Sequence, residues 1–247
     1  MSILRATVIE IKKLKRLKIN IVGLLCAILS VIISCFQMLV MSNTDRQFSL
    51  LAEGTIWNNV TLLMPFTIAL VGGYYINREF VEDTQKNILM IPIEWRKIIN
   101  AKITLLFLFG VLLGITEWIL CIVASVICGC KGIDLEIMFG SLVVMIIVHI
   151  CIVIAVLPII LIASSKKGTY VWGALLSMIL GVLAVFINNG KGVNFYPLTA
   201  GLVIIQFKQI PDEISNWKIA FISLILFSLF SYVIYQIKYK KRVNLYH

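Results

Sequence analysis

Glu117 and His149 are the two ionisable residues of this 247-residue chain that stand deep inside long apolar runs, where a charge is costly and seldom kept without a role. A carboxylate and an imidazole so placed could share a hydrogen bond or ion pair, act as acid and base, or meet a cationic substrate. Glu117 lies 11 residues before Cys128 and His149 lies 11 after Met138. At about 1.5 Å per residue the two reach similar depth on antiparallel helices, so the spacing predicts that they pair or that each bonds separately within the bundle. The chain has only one other His, the terminal His247, which leaves a His-based zinc site or a catalytic triad short of parts. Cys128 and Cys130 flank Gly129 and could form a metal or redox pair, but a Cys-x-Cys without His partners reads first as packing. Asn188-Asn-Gly-Lys-Gly192 lacks the glycine before it and the Ser or Thr after it that a phosphate loop needs. No catalytic residue, no metal ligand set and no cofactor bound by this chain are therefore expected. An intramembrane enzyme using Glu117 and His149 would need a nucleophile or a metal that the sequence does not offer.

The elements that must position these two residues follow from composition. Sixty per cent of the residues are hydrophobic and 14% charged, with a mean hydropathy of +1.00, against roughly 45–50% apolar and 25% charged in soluble domains. A hydrocarbon core about 30 Å thick needs around 20 apolar residues in a helix, because the backbone must satisfy its own hydrogen bonds there. Six stretches qualify: 19–41, 56–76, 99–128, 138–163, 169–187 and 217–237. The expected fold is a single all-α membrane domain over 1–247. The net charge of +10 does not gather on one face, so nucleic acid is not an expected partner. Of the 22 Lys and Arg, only Arg46, Lys131, Lys191, Lys208 and Lys218 fall on the side of the first, third and fifth connections. The positive-inside rule then puts both termini in the cytoplasm.

Residues 1–18 carry Leu4, Val8, Ile11, Leu14 and Leu17 at helical spacing with basic residues largely opposite, which fits an amphipathic helix lying along the membrane or a plain basic flank. The connection between spans two and three is too patterned for a loop: Phe80, Val81, Thr84, Ile88 and Leu89 recur at helical spacing, and Pro92 ends the pattern. An amphipathic helix there, ringed by Glu79, Glu82 and Asp83, could dock into a groove on a soluble partner. Pro158 predicts a kink in span four. Asn59-Val-Thr61 matches a glycosylation acceptor by coincidence of position.

Glu79, Asp83, Asn87-Ile-Leu, Pro92-Ile and Arg96-Lys-Ile before a long apolar helix resemble the cytoplasmic signature of type-2 ABC exporter permeases, although no small residue follows the acidic cluster at Thr84-Gln85. Trp57-Asn-Asn and Ile91-Pro-Ile are most similar to the permeases of lantibiotic-immunity transporters. The resemblance implies a transport subunit of the bacterial plasma membrane that works with two separate ATPases, which bind the ATP and Mg, and with a second copy or a related permease. It implies export of a lantibiotic or similar antimicrobial peptide, or else of another hydrophobic drug or lipid. It also implies that the helix at about Arg78 to Met90 is a coupling helix, with Glu79, Phe80, Glu82, Asp83, Thr84 and Ile88 as docking anchors. Phe195-Tyr-Pro and Leu202 to Phe207 resemble an external re-entrant hairpin between spans five and six. A non-transporting membrane scaffold is the remaining alternative, for which a bundle without interior polar residues would be more typical.

Overall fold

The computed structural model describes residues 3–14, 18–41, 46–81, 95–164, 168–188, 190–208 and 210–243. Among them every extended element is helical: α1 (Ile3–Leu14), α2 (Ile19–Met41), α3 (Phe48–Asn58), a π-helical segment (Asn59–Leu63), α4 (Met64–Val81), α5 (Trp95–Ile127), α6 (Leu135–Ala163), α7 (Tyr170–Ile187), α8 (Pro197–Ile204) and α9 (Trp217–Val243). Six helical stretches are long and apolar enough to cross a membrane, with α3, the π segment and α4 forming one of them.

Burial sorts the six. In the most apolar window of each, 72% of the α3–α4 stretch and 61% of α6 lie inside the protein, against 33% for α5, 28% for α2 and α7 and 22% for α9. The first two form the centre and the others a sleeve. Leu25, Ile32 and Phe36 on α2, Trp172, Ile179 and Phe186 on α7, and Phe221, Leu226 and Phe230 on α9 all point outward. Such a girdle is tolerable only against hydrocarbon.

Four of the six observed helical stretches run longer than the apolar stretches that announce them. The second span begins at Phe48 rather than near Ile56, because Phe48, Leu51 and Ala52 are buried around Glu53, which interrupts the apolar run and meets Lys208 Nζ at 2.9 Å. The third starts at Trp95, ahead of Arg96 and Lys97, and the last continues to Val243. Pro158 sits inside α6, which is helical without a break from Leu135 to Ala163. Its missing N–H leaves one carbonyl of the preceding turn without its helical donor.

α1 buries Thr7 and sets Ile11 against Val71, Tyr75 and Leu105, while Val8 and Ile9 face outward. Between α7 and α9 the chain folds back through α8, eight residues or about 12 Å long and too short to span. Pro197 to Val203 are buried without exception. Asn194 clamps this region: its Nδ2 donates to the Ile214 carbonyl at 2.7 Å and its Oδ1 accepts from the Asn216 N–H at 2.7 Å.

Candidate functional site: a polar ladder inside the bundle

α2 carries Ser30, Ser34 and Gln37 at intervals of four and three, so they share one helix face. That face meets Asn58 and Asn59, which join α3 to the π segment and point about 100° apart, as neighbours on a helix must. Asn58 Nδ2 donates to Ser34 Oγ at 2.9 Å and to Gln37 Oε1 at 3.0 Å. Asn59 reaches the other way. Its Oδ1 accepts from Ser30 Oγ at 2.6 Å and its Nδ2 donates to Glu117 Oε2 at 2.5 Å. A π-helical turn at this point widens the helix locally and is frequent at functional sites.

Glu117 belongs to a second patterned face. Gly110, Gly114, Glu117 and Cys121 recur on α5 at intervals of four, three and four, and this seam packs against Met145, His149 and Val153 of α6. Gly114 is required by the closeness of the two helices: a Cβ there would lie 3.2 Å from the Met145 carbonyl oxygen and the Ile146 Cα, and 3.3 Å from His149 Nδ1. The missing side chain lets the imidazole of α6 reach the carboxylate of α5.

The structure brings Glu117 and His149 together. Both are fully buried, with His149 Nε2 3.2 Å from Glu117 Oε2. His149 is the middle residue of α6, and Glu117 lies ten residues, about 15 Å, before the end of α5. Close as they are, the two atoms are poorly aligned: Nε2 makes no hydrogen bond of good geometry, and Glu117 Oε1 has no hydrogen-bond partner among the described residues. Nδ1 lies 2.8 Å from the Met145 carbonyl. Cys121, one turn beyond Glu117, donates to Thr55 Oγ1 at 3.4 Å.

The remaining candidate residues lie elsewhere. Glu79 and Phe80 fall in the last turn of α4, while Glu82, Asp83, Thr84 and Ile88 lie outside the described residues. Cys128 and Cys130 belong to a helix stop. Gly129, at φ +66°, lets its N–H bond the Val126 carbonyl and the Cys130 N–H bond the Ser125 carbonyl, the two bonds that close a Schellman turn. The Cys130 thiol then rests on Met38 Sδ at 3.9 Å, and burial pushes its pKa up. Asn59 is 1% exposed, so a glycan has no access to it.

Ser30 and Gly114 are site residues that sequence reasoning does not single out, and it meets Asn59 only within Trp57-Asn-Asn and a glycosylation triplet. A four-residue glycine spacing, Gly110 to Gly114, is the signal that could have found the seam.

Six apolar helices packed around a buried polar ladder define a multi-pass membrane protein. Residues 7–184 match the model of the ABC-2 family transporter proteins, and the chain belongs to that family: a membrane permease, a transport subunit rather than an enzyme. It is similar to a bacitracin transport permease protein of Bacillus licheniformis, 24% identical over 168 residues that cover 66% of this chain and 80% of the relative. No solved structure matches the chain.

Proposed function

We propose that this chain is the permease subunit of an ATP-driven exporter that expels a peptide antibiotic from the plasma membrane of a bacterium. The observation that carries the reading is the family match over residues 7–184, sharpened by a relative whose name specifies transport of bacitracin. Lantibiotic immunity is its narrower form, supported by Trp57-Asn-Asn and Ile91-Pro-Ile.

ATP and Mg are handled by two separate ATPase subunits. The charge bias of the connections puts both termini and the segment from Arg78 to Met90 in the cytoplasm, where the ATPases stand. Glu79, Phe80, Glu82, Asp83, Thr84 and Ile88 are the docking anchors, and the buried α8 forms the external re-entrant hairpin. Six helices enclose little room for a peptide, so the path lies between this chain and a second copy or a related permease, with membrane lipid around both.

The test is reconstitution with a candidate ABC ATPase, sought first in the neighbouring reading frames. Peptide antibiotics should stimulate ATP hydrolysis and the complex should raise resistance to them in a sensitive host. Phe80→Asp or Ile88→Asp should abolish resistance while the permease still inserts and the ATPase still turns over. Stimulation by hydrophobic drugs or lipids alone would replace the peptide reading, and failure of the ATPase to bind would sink the exporter reading.

A further inference from the structure

The ladder leaves a question of proton count that its geometry answers. A carbonyl oxygen can only accept, so the 2.8 Å approach of His149 Nδ1 to Met145 O requires the hydrogen on Nδ1. In a neutral ring Nε2 is then a bare lone pair, and it faces Glu117 Oε2 at 3.2 Å. If the carboxyl were ionised at the same time, two lone pairs would oppose each other in a fully buried site. Asn59 gives no relief: its amide N–H points at Oε2, and an amide has no proton to release. The pair must therefore hold one proton beyond the hydrogen on Nδ1. Whether it is drawn on nitrogen as imidazolium with carboxylate, or on oxygen as imidazole with carboxylic acid, the pair has zero net charge. That is the one state in which neither a lone cation nor a lone anion is left in the middle of the bundle.

Among the described residues, nothing else nearby can supply or balance a charge. Facing Glu117 from its own helix is the thiol of Cys121, held on Thr55 of α3. α2, the π segment, α7 and α8 contain no Asp, Glu, Lys or Arg, and contribute Ser30 and Asn59. Glu53 of α3 is turned to Lys208, and Arg78 stands near the end of α4. Lys102 lies 15 residues from Glu117 along α5 and Glu136 13 residues from His149 along α6, each about 20 Å away.

We propose that Glu117 and His149 together bind a single proton, forming a net-neutral site that locks α5 to α6 through the pH range in which a free imidazole titrates. The function of this proton is to let a polar seam persist inside a hydrocarbon-embedded bundle, whatever the transporter exports.

The proton can be counted directly in the full-length permease in lipid. His247 is the only other histidine, so a His247→Gln background leaves His149 as the sole source of a histidine ¹⁵N signal. Infrared difference spectra against Glu117→Gln in the same background report whether the carboxyl is protonated. Expected is a sum of one proton beyond the Nδ1 hydrogen at every pH from about 5 to 8, with no histidine midpoint inside that window. A neutral ring beside a carboxylate, or an imidazolium beside a carboxylic acid, would overturn the proposal, as would an ordinary histidine titration. A second variant moves the proton: in His149→Gln the infrared band of a protonated acid should appear at neutral pH, and a Glu117 that stays ionised there also overturns it. Neither readout requires transport activity, so each stands apart from the exporter reading.

Discussion

The middle of the bundle and its ends each hold a carboxylate beside a cationic partner, and the two pairs are not equivalent. Glu53 and Lys208 approach to 2.9 Å, with side chains 21% and 73% exposed; Glu117 and His149 stand at 3.2 Å and are wholly buried. The longer contact is the consequential one, because burial and not distance decides what is lost when a partner goes. The same contrast separates the other polar groups. Towards the helix ends, side chains satisfy backbone: Lys102 Nζ donates to the Tyr75 carbonyl at 2.8 Å, Asn77 Nδ2 to the Ser164 carbonyl at 3.0 Å, and Tyr235 Oη to the Arg96 carbonyl at 3.3 Å. In the middle they satisfy each other across α2, the π segment, α5 and α6. End contacts fasten one element to the next, and the ladder couples four elements at one depth.

The sharpest way to break this contrast is His149→Leu. It should destabilise the permease by about 3 kcal/mol, the low end for removing one partner of a buried pair, because the Glu117 carboxyl is left buried without it. Unfolding in lipid nanodiscs measures the loss; a change near zero would mean that the pair carries no weight. Asn59→Leu should follow at about 2 kcal/mol, since it strips Ser30 Oγ of its acceptor and Glu117 of its one aligned donor. A double-mutant cycle with Ser30→Ala should be strongly non-additive, because both residues act through one amide. Lys102→Met at the end of the bundle should cost about 1.5 kcal/mol, the low end for a hydrogen bond made by a charged group. A loss larger than that of Asn59→Leu would invert the comparison.

How much of this is legible in the sequence depends on the kind of signal. Six crossings are readable because an unbroken run of some 20 apolar residues fits little except a membrane span. Glu117 and His149 stand out because ionisable residues in such runs are rare, and their similar distance from the span ends points to a shared depth. Ser30 and Asn59 give no comparable contrast: neutral polar residues are common in membrane helices, and only the π segment at Asn59–Leu63, which local propensity does not announce, turns Asn59 toward α5. The early start of the second span is hidden by Glu53, whose partner Lys208 is far away in sequence. Cys128-Gly-Cys130 is misleading in type but readable in position. The glycine between the thiols marks the end of α5, and the turn it makes sets those thiols where they are.

The smallest expected effect sharpens the comparison from its other side. Lys208 is 73% exposed, so its ammonium keeps most of its water and gains little from Glu53 despite the 2.9 Å contact. Lys208→Ala should therefore shift stability by less than about 0.5 kcal/mol and lose even that as salt screens the pair. Glu53→Leu should be similarly mild, because removing the carboxylate strands no buried charge. If instead either substitution rivals His149→Leu, then the outer end of α3 is held by this ion pair and not by the burial of Phe48, Leu51 and Ala52 beneath it. Measuring Lys208→Ala and His149→Leu side by side at low and high salt separates the two cases: the ladder should be indifferent to salt, and the outer pair should not.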